Sequence, residues 1–527
     1  MKYSLFILSF LFFIPVFAQD NNYWNQMPGT ALMGGAVVGG IRSNSAVYYN
    51  PAALSYIDSN TISVSAASYQ IEFATIKNGG GKGINLISEQ FQAIPLISIS
   101  GMYKTRKKSR STFGYMLFTK NQTSNDFSYR EDGFKNNTLF NNDPHNLGYD
   151  NYTDSSHSTV EYIGDYNLQT SMNELCFGLG YSYKINEHVA VGCTPVVAYR
   201  TQGYTQSFVA RAFPDSSSNL YNNYHGNNGV SIGSIGFNDV EDIYFYNVRT
   251  FIKFAVALDY GNIKLGGNIT TQSINLGGNA YIARDIYYTG GYADSASYKS
   301  NIYPFSYSLN DRQNNLNSTF ISPYTISLGI DYTVKKTNLC LTTEYFAPLA
   351  QYNAAMPHSS GFLRPVWQKK RIAQNGLSAI NSADYLELVE SAKSVTNLAF
   401  SFKQNVYKNI YVLFSFRTDF TSYKKVTNDF WEYQYVDTLH RPGQKLSFSN
   451  VDLYHANVGL IKKNRKSDLH LGLTFTYGVN YTFQPLTNIA NPLDNTNALG
   501  AIPDYKQTAT YIYNSYSLIL GYTYHIR

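Results

Sequence analysis

The chain has 527 residues, including 48 Tyr and 32 Phe, while only 14% of its residues are charged and its formal net charge is +6. This small positive excess argues against a nucleic-acid-binding protein, which would present a broad basic face. Three cysteines, Cys176, Cys193 and Cys340, cannot form a complete disulfide framework. Because Tyr and Phe favour strands, the composition indicates an all-β protein. A large secreted β-sandwich or propeller is the alternative that composition alone leaves open.

The N-terminus has the features of a cleavable secretory signal. Lys2 precedes an apolar stretch from Leu5 to Phe17, and Ala18 stands before the polar Gln19. The stretch is too short for a helix that crosses about 30 Å of hydrocarbon, so we predict a signal peptide over residues 1–18. No run of 18 apolar residues follows it, and no transmembrane helix is therefore predicted.

The segment before the first strand is rich in small residues. It reads GTALMGGAVVGG over 29–40 and SNSAVYYNPAAL over 43–54. Glycines such as Gly34 and Gly35 allow close packing of the backbone, and Pro51 restricts Asn50 to an extended or turn conformation. This pattern is unlike a strand, and the segment is predicted to pack as a compact, irregular element.

From residue 61 onward, apolar and polar residues alternate in long segments. The clearest covers 468–483, where the apolar residues from Leu469 to Phe483 share one face and polar or small residues share the other. Strict period-two alternation of this length suits a tilted membrane strand that continues beyond the bilayer. The same pattern predicts fourteen strands, at 61–71, 93–103, 111–121, 171–184, 188–200, 247–260, 263–276, 322–334, 338–346, 394–406, 409–420, 451–462, 468–483 and 513–526.

The connections between these strands alternate in length. Tight turns are predicted at 104–110, 185–187, 261–262, 335–337, 407–408 and 463–467, and long connections at 72–92, 122–170, 201–246, 277–321, 347–393, 421–450 and 484–512. Outer-membrane barrels have short periplasmic turns and long outer loops, and they close because unpaired backbone groups are costly in hydrocarbon. We therefore predict a transmembrane antiparallel β-barrel of 14 strands over residues 61–527, a multi-pass protein of the outer membrane.

The barrel hypothesis assigns the charged residues to two places. The polar inner face is expected to carry Arg417, Asp419, Lys403, Asn457 and His455. The basic residues of the turns at 104–110 and 462–466 are interpreted as solvated charges near anionic lipid headgroups. All three cysteines fall in strands and are interpreted as small buried or lipid-facing residues.

One long connection contains a helix signal. Ser382 caps a stretch to Ala392 that predicts a helix of about three turns, with Leu386 and Val389 on one side. Such a helix either covers an outer ligand-binding groove or merely packs down a long loop, and the sequence leaves both readings open.

Two motifs resemble those of a known family. The Gly/Ala-rich stretch that leads to Asn50-Pro51-Ala52-Ala53-Leu54 resembles the N-terminal signature of the FadL/TodX family, outer-membrane transporters for long-chain fatty acids and aromatic hydrocarbons. Residues 322–332, SPYTISLGIDY, are similar to a Thr-Pro strand late in such barrels. The chain departs from the family in its long outer loops and in ending at Arg527, where many barrels end in an aromatic residue.

The resemblance implies a fourteen-stranded barrel with residues 19–60 folded inside as a hatch, in which Gly34, Gly35, Asn50, Pro51 and Ala52 form the hatch motif. It also implies passive uptake of a small hydrophobic ligand, which is captured among the outer loops and leaves sideways through a kink in the wall. Pro195 removes a ladder hydrogen bond and is the candidate wall kink. The expected surroundings are outer-membrane lipid and lipopolysaccharide, and the protein is expected to be a monomer that binds no nucleic acid.

Enzymatic and metal sites find little support. The stretch at 229–233, GVSIG, matches a nucleophile elbow, but that elbow must join a strand to a helix, so we interpret it as chance. The nine His lack metal-ligand spacing, and no catalytic residue, metal or cofactor is predicted. A barrel adaptor in protein secretion or surface attachment is the alternative to transport, followed by an outer-membrane lipase or protease.

Overall fold

The computed structural model describes residues 30–104, 109–136, 159–214, 235–291, 304–359, 362–363, 380–422, 450–489 and 507–526. The strands are β1 Asn60–Lys77, β2 Leu86–Tyr103, β3 Ser111–Asn136, β4 Thr159–Lys184, β5 Val189–Pro214, β6 Ile235–Asp259, β7 Ile263–Thr270, β8 Ile274–Gly291, β9 Pro304–Asn317, β10 Thr325–Val334, β11 Thr337–Phe346, β12 Leu349–Ala355, β13 Phe362–Leu363, β14 Ile380–Asn381, β15 Leu388–Ala392, β16 Val395–Tyr407, β17 Ile410–Asp419, β18 Asp452–Lys463, β19 Ser467–Phe483 and β20 Ala509–Ile526. Short helices cover Ala31–Met33, Ala46–Tyr49, Pro51–Tyr56 and Ser382–Tyr385. Among the described residues, no helix has the length and apolar character needed to cross a bilayer.

Fourteen of these strands form a closed antiparallel barrel. The circuit runs β1-β2-β3-β4-β5-β6-β7-β10-β11-β16-β17-β18-β19-β20, and β20 pairs with β1 from Asn60 opposite Ile526 to Lys77 opposite Thr510. Closure satisfies the backbone groups that hydrocarbon would leave unpaired. The predicted fold class and strand count are confirmed, and each predicted strand has a counterpart in the wall.

The bilayer zone of the wall shows the expected alternation. On β4 the outward side chains of Leu175, Phe177, Leu179, Tyr181 and Tyr183 are exposed, whereas the inward residues between them are buried. This run of nine residues matches the length of a tilted membrane strand, about 9–11 residues. The apolar belt therefore faces lipid, and the small or polar residues face the lumen.

The strands β3 to β6 extend well beyond this zone, and the predicted bounds of their long connections are wrong. Most of 122–170 and part of 201–246 are sheet, because β3 pairs with β4 as far as Asn136 opposite Thr159. In this outer extension the polarity of the faces is reversed: Tyr162, Tyr166 and Leu168 point inward and are buried. Water bathes the outside of the wall there, so the apolar face turns to the interior.

The predicted strand 263–276 is interrupted. Its first part, β7, pairs with β10, but after residues 271–273 its second part, β8, pairs with β6 and β9 instead. Above the interruption, β8 and the segment 318–324 that precedes β10 are joined mainly by side chains and single backbone bonds, including Asn275 Nδ2 to Ser318 O at 3.3 Å and Ser273 N to Ser322 O at 3.1 Å. We call residues 271–275 and 318–322 the wall seam.

A second departure from the prediction lies in the connection 347–393. It contains β12 and β15, which form a separate two-stranded sheet, and we call these two strands the inner hairpin. All of β15 is buried, and Leu388 and Val389 are fully covered. The hairpin therefore leaves the barrel wall and lies over the outer lumen.

Residues 30–59, the described part of the predicted hatch, lie in the lower lumen. Their backbone lies against inward glycines on separate parts of the wall: a Cβ at Gly192 would come within 2.6 Å of Ala52 N, and one at Gly329 within 2.5 Å of Gly39 N. On the far wall, a Cβ at Gly472 would overlap Leu32. Larger residues at these positions would exclude the segment, so the wall is shaped to hold it.

Candidate functional site

The predicted hatch residues lie in the lumen and contact the wall. Gly34 and Gly35 have positive φ angles of 58° and 81°, and a Cβ at Gly34 would come within 2.9 Å of Ser415 Oγ. Both the backbone conformation and the close approach favour glycine here.

Asn50 takes the extended conformation that Pro51 imposes, with φ −155° and ψ 88°. Its Nδ2 donates to Val38 O at 2.7 Å and to Val256 O at 3.3 Å, so one side chain ties together two parts of the segment and strand β6. Pro51 begins a 3-10 helix, and the carbonyl of Ala52 accepts a hydrogen bond from Ser182 Oγ at 2.8 Å.

The turn lysine Lys104 differs from its prediction. The sequence predicts a solvated charge here, but the side chain is buried and its Nζ donates to the carbonyls of Ser55 and Ile57 at 3.0 Å each. The lysine fastens the end of the 3-10 helix to the periplasmic rim. Residues 105–108 of the same turn lie outside the described residues.

Apolar side chains line the outer lumen above the hatch. We call this group the outer apolar cluster; its members include Phe127, Tyr162, Leu168, Phe208, Ile243, Phe245, Ile282, Leu316, Phe320, Tyr385, Leu386 and Leu388. They come from strands on several sides of the wall and from the segment 382–388. The cluster is an apolar interior that a hydrophobic molecule could enter from the outer end.

The predicted loop helix is much shorter than expected. It ends at Tyr385, and Val389 belongs to strand β15, so the helix prediction over 382–392 is wrong beyond its first turn. Leu386 and Val389 are nonetheless both fully buried, with Leu386 in the outer apolar cluster. The segment is anchored to β9, where Gln313 Nε2 donates to Ser382 Oγ at 3.0 Å.

A charged group lies where the outer apolar cluster meets the bilayer zone. The Glu174 carboxylate is 2.6 Å from Arg249 Nη2, 3.2 Å from Lys120 Nζ and 3.4 Å from Arg200 Nη1. Both Glu174 (2% exposed) and Arg249 (0% exposed) are removed from water. We call these four residues the cationic cluster, because three positive side chains share one carboxylate.

The cationic cluster touches the outer apolar cluster through Phe320. The ring of Phe320 lies 3.8 Å from the Arg200 guanidinium carbon and 4.7 Å from that of Arg249, within cation–π range. Arg249 Nε donates to Ser322 Oγ at 2.8 Å, whereas its Nη1 has no hydrogen-bond acceptor in the part of the chain that the structure describes. A buried cationic donor is thus available beside an apolar surface.

Two further polar groups lie on the inner wall. Glu344 accepts a hydrogen bond from Ser327 Oγ at 2.8 Å. Of the residues predicted to face inward, Arg417, Asp419, His455 and Asn457 are buried in the lumen, with His455 Nδ1 2.8 Å from Thr476 Oγ1.

Cys176 and Cys340 are buried, and all three cysteines are free. Among the described residues, no group of His, Cys, Asp and Glu is arranged to hold a metal.

Pro195 lies on β5 with its ring outward. The β4–β5 ladder is interrupted beside it, between Gly178 opposite Val196 and Tyr181 opposite Cys193, but the register is the same on both sides. Pro195 pairs with Ile252 on the other side. Its role as an opening stays a prediction, and the wall seam is a longer interruption.

No local motif in the sequence identifies the cationic cluster. Glu174, Arg200 and Arg249 each fall in a predicted strand, like many other polar residues of the inner face. A partial signal was available: pairing the predicted strands through the turn at 185–187 places Glu174 opposite Ala198, two residues from its observed partner Arg200. Such pairing would have placed Glu174 and Arg200 close together on the inner face.

A Pseudomonas aeruginosa FadL homologue of known structure aligns with 98% of this chain and 99% of its own, at 12% sequence identity and a TM-score of 0.50. The chain has the FadL fold. The Ralstonia pickettii toluene transporter TbuX aligns over 96% of this chain and 100% of its own, at 9% identity and a TM-score of 0.48. The Pseudomonas putida toluene transporter TodX aligns over 96% and 99%, at 11% identity and a TM-score of 0.45. No family model and no curated protein matches the sequence.

The predicted resemblance is confirmed at the level of this fold. A FadL-type barrel with an apolar outward belt is an outer-membrane structure, and the predicted location is confirmed with it. The predicted signal peptide over 1–18 and the GVSIG stretch at 229–233 lie outside the described residues.

Proposed function

We propose that this barrel mediates passive uptake of small hydrophobic compounds across the outer membrane, and that its preferred ligands are long-chain molecules with a carboxylate. The observation that carries the proposal is the junction of the outer apolar cluster with the cationic cluster. Burial of a hydrocarbon chain gains about 25 cal/mol per Å². The Arg249 donor is then within reach of the acidic end of such a chain.

The charge balance supports an acidic ligand over a neutral hydrocarbon. Lys120, Arg200 and Arg249 carry three formal positive charges, and Glu174 with the nearby Glu390 carries two negative ones, which leaves one positive charge in excess. A ligand carboxylate would balance that charge and supply the acceptor that Arg249 Nη1 lacks. Charge-assisted hydrogen bonds of this kind are worth about 1.5–3 kcal/mol.

The hatch determines how a ligand can leave the lumen. Because it occupies the lower lumen, a ligand at the cationic cluster can leave only if the hatch shifts or the wall opens. We assign the hatch role to the segment around Asn50, and the wall seam beside Phe320 is an exit at the level of the ligand site. Pro195 stays the alternative opening.

Uptake by cells tests the proposal. Cells that produce the wild-type barrel should take up a labelled long-chain fatty acid faster than cells without it, and Arg249→Gln should reduce that gain about tenfold, the equivalent of about 1.4 kcal/mol. Uptake of a labelled aromatic hydrocarbon should change little. The matched control is Arg417→Gln, which removes a buried arginine from another part of the wall. Equal uptake of both ligands with and without the protein would contradict the proposal.

A further inference from the structure

The inner hairpin carries an acidic residue into the outer lumen. Glu390 lies on β15 opposite Tyr352 of β12, and both side chains are largely withdrawn from water. Its neighbours Leu388 and Val389 are fully buried. A carboxylate in such a place is costly unless a positive group compensates it, so its partner is informative.

That partner is the cationic cluster. Glu390 interacts electrostatically with Arg200, and Tyr352 interacts with Glu390, Arg200 and Arg249. The Tyr352 hydroxyl also accepts a hydrogen bond from Ile321 N at 3.2 Å, next to the Phe320 ring that lies against both guanidinium groups. The hairpin therefore reaches the same arginines that face the outer apolar cluster.

The inner hairpin is held less firmly than the barrel wall. Its two strands pair with each other, and its backbone links to the wall include a bridge between Ser318 and Ala355 and a bond from Thr319 N to Ala354 O at 2.8 Å. At its ends, Ala347 N donates to Tyr324 O and Lys393 N to Ser422 O, at 2.9 Å each. Its ends leave the wall at 347–348 and 393–394. An element with few backbone bonds to its surroundings opens at lower free energy than a strand paired on both sides.

We propose that Glu390 is an internal substitute for a ligand carboxylate and that the inner hairpin is displaced when an anionic, long-chain ligand binds Arg200 and Arg249. This inference rests on the proposed function. When the Glu390 carboxylate moves away from the arginines, the ligand carboxylate takes its place. The exchange therefore leaves no buried positive charge uncompensated. A neutral hydrophobic compound cannot make that exchange, because displacement of Glu390 would leave the three cations with one carboxylate, Glu174. Such a compound occupies the outer apolar cluster with the hairpin in place. The hairpin thereby selects ligands by charge.

The first experiment removes the charge of the internal carboxylate. Binding of a fluorescent long-chain fatty acid and of the alcohol of the same chain length is measured on the purified barrel in detergent. Glu390→Gln should raise the affinity for the fatty acid at least tenfold and leave its affinity for the alcohol within twofold. The matched control is Glu72→Gln, which neutralises a buried carboxylate on β1 whose neighbours are Gln70 and Tyr513. Its affinities should equal those of the wild type.

The second experiment holds the hairpin in place. A disulfide between Ser318→Cys and Ala355→Cys, at the positions of the bridge, should lower fatty-acid affinity at least tenfold when oxidised and restore it on reduction. The Ser318→Cys single variant controls for the lost serine. If the wild type binds the fatty acid but neither Glu390→Gln nor the disulfide changes its affinity, the inference is overturned and the proposed function stands. If the wild type binds neither compound, the proposed function fails.

Discussion

The two halves of β4 follow the same alternation with opposite polarity. In the bilayer zone Leu179 and its outward neighbours are apolar while the lumen side carries Glu174 and small residues; in the outer extension Tyr162 and Leu168 face inward and polar residues face out. The backbone does not change between the halves, but the solvent outside the wall does. The comparison shows that the surroundings, and not the strand, determine which face must be apolar.

The cationic cluster lies at the boundary between the bilayer zone and the outer extension. A substitution there tests whether the interior at this boundary is closed to water, and its expected effect is the largest. Glu174→Gln leaves Lys120, Arg200 and Arg249 without their shared carboxylate, and we expect a loss of about 3–5 kcal/mol in the free energy of unfolding because buried cations become uncompensated. Urea titration of the barrel in lipid vesicles would measure this loss. A change below 1 kcal/mol would show that water reaches the boundary and that the two zones are not sealed from each other.

A charge on the outward face of β4 should be costly in the bilayer zone and tolerated in the outer extension. Leu179→Lys places an ammonium group near the middle of the lipid-facing run, where the expected cost is about 2–4 kcal/mol in the free energy of unfolding. The matched variant Gln169→Lys is on the same face of the same strand in the outer extension, and its effect should stay within about 0.5 kcal/mol. Equal effects in the same vesicle titration would contradict the assignment of the bilayer boundary.

The smallest expected effect concerns packing. Ile243→Val, in the outer apolar cluster (2% exposed), should cost about 0.5–1.5 kcal/mol because the lost methyl leaves a gap that neighbours cannot fill. Ile252→Val faces lipid (39% exposed), and mobile acyl chains should fill its gap at little cost. Thermal unfolding of the two variants side by side measures the difference. A larger loss at Ile252 would reverse the inside and outside assigned to β6.

Much of the fold was predictable because its rules are local. Fourteen alternating segments, short turns between them and the motif around Asn50-Pro51 predicted the barrel and its filled lumen. The outer extension was missed because the polarity of the faces reverses near Glu174, so a search for apolar outward runs ends there. The residues beyond it then look like polar loops, although their period of two continues.

The site was less predictable because it depends on contacts between distant parts of the chain. Pairing through the predicted turn at 185–187 brings Glu174 within two residues of Arg200. Lys120 lies on β3, across the long connection 122–170, and Arg249 lies on β6, two strands from Glu174, so neither contact follows from that turn. The inner hairpin was mistaken for part of a helix, since Ser382 does begin a helical turn. Leu388 and Val389 are fully buried and belong to strand β15, and no local pattern contains that information.

The pairing of β1 with β20 has a consequence for how the protein is made. These strands are at the two ends of the barrel sequence, so the wall cannot close until the last strand has been synthesised. A chain shortened by its final strand would expose two unpaired edges to lipid, one on β1 and one on β19. Closure of the barrel therefore depends on the C-terminal strand, because it alone supplies the partner for both edges.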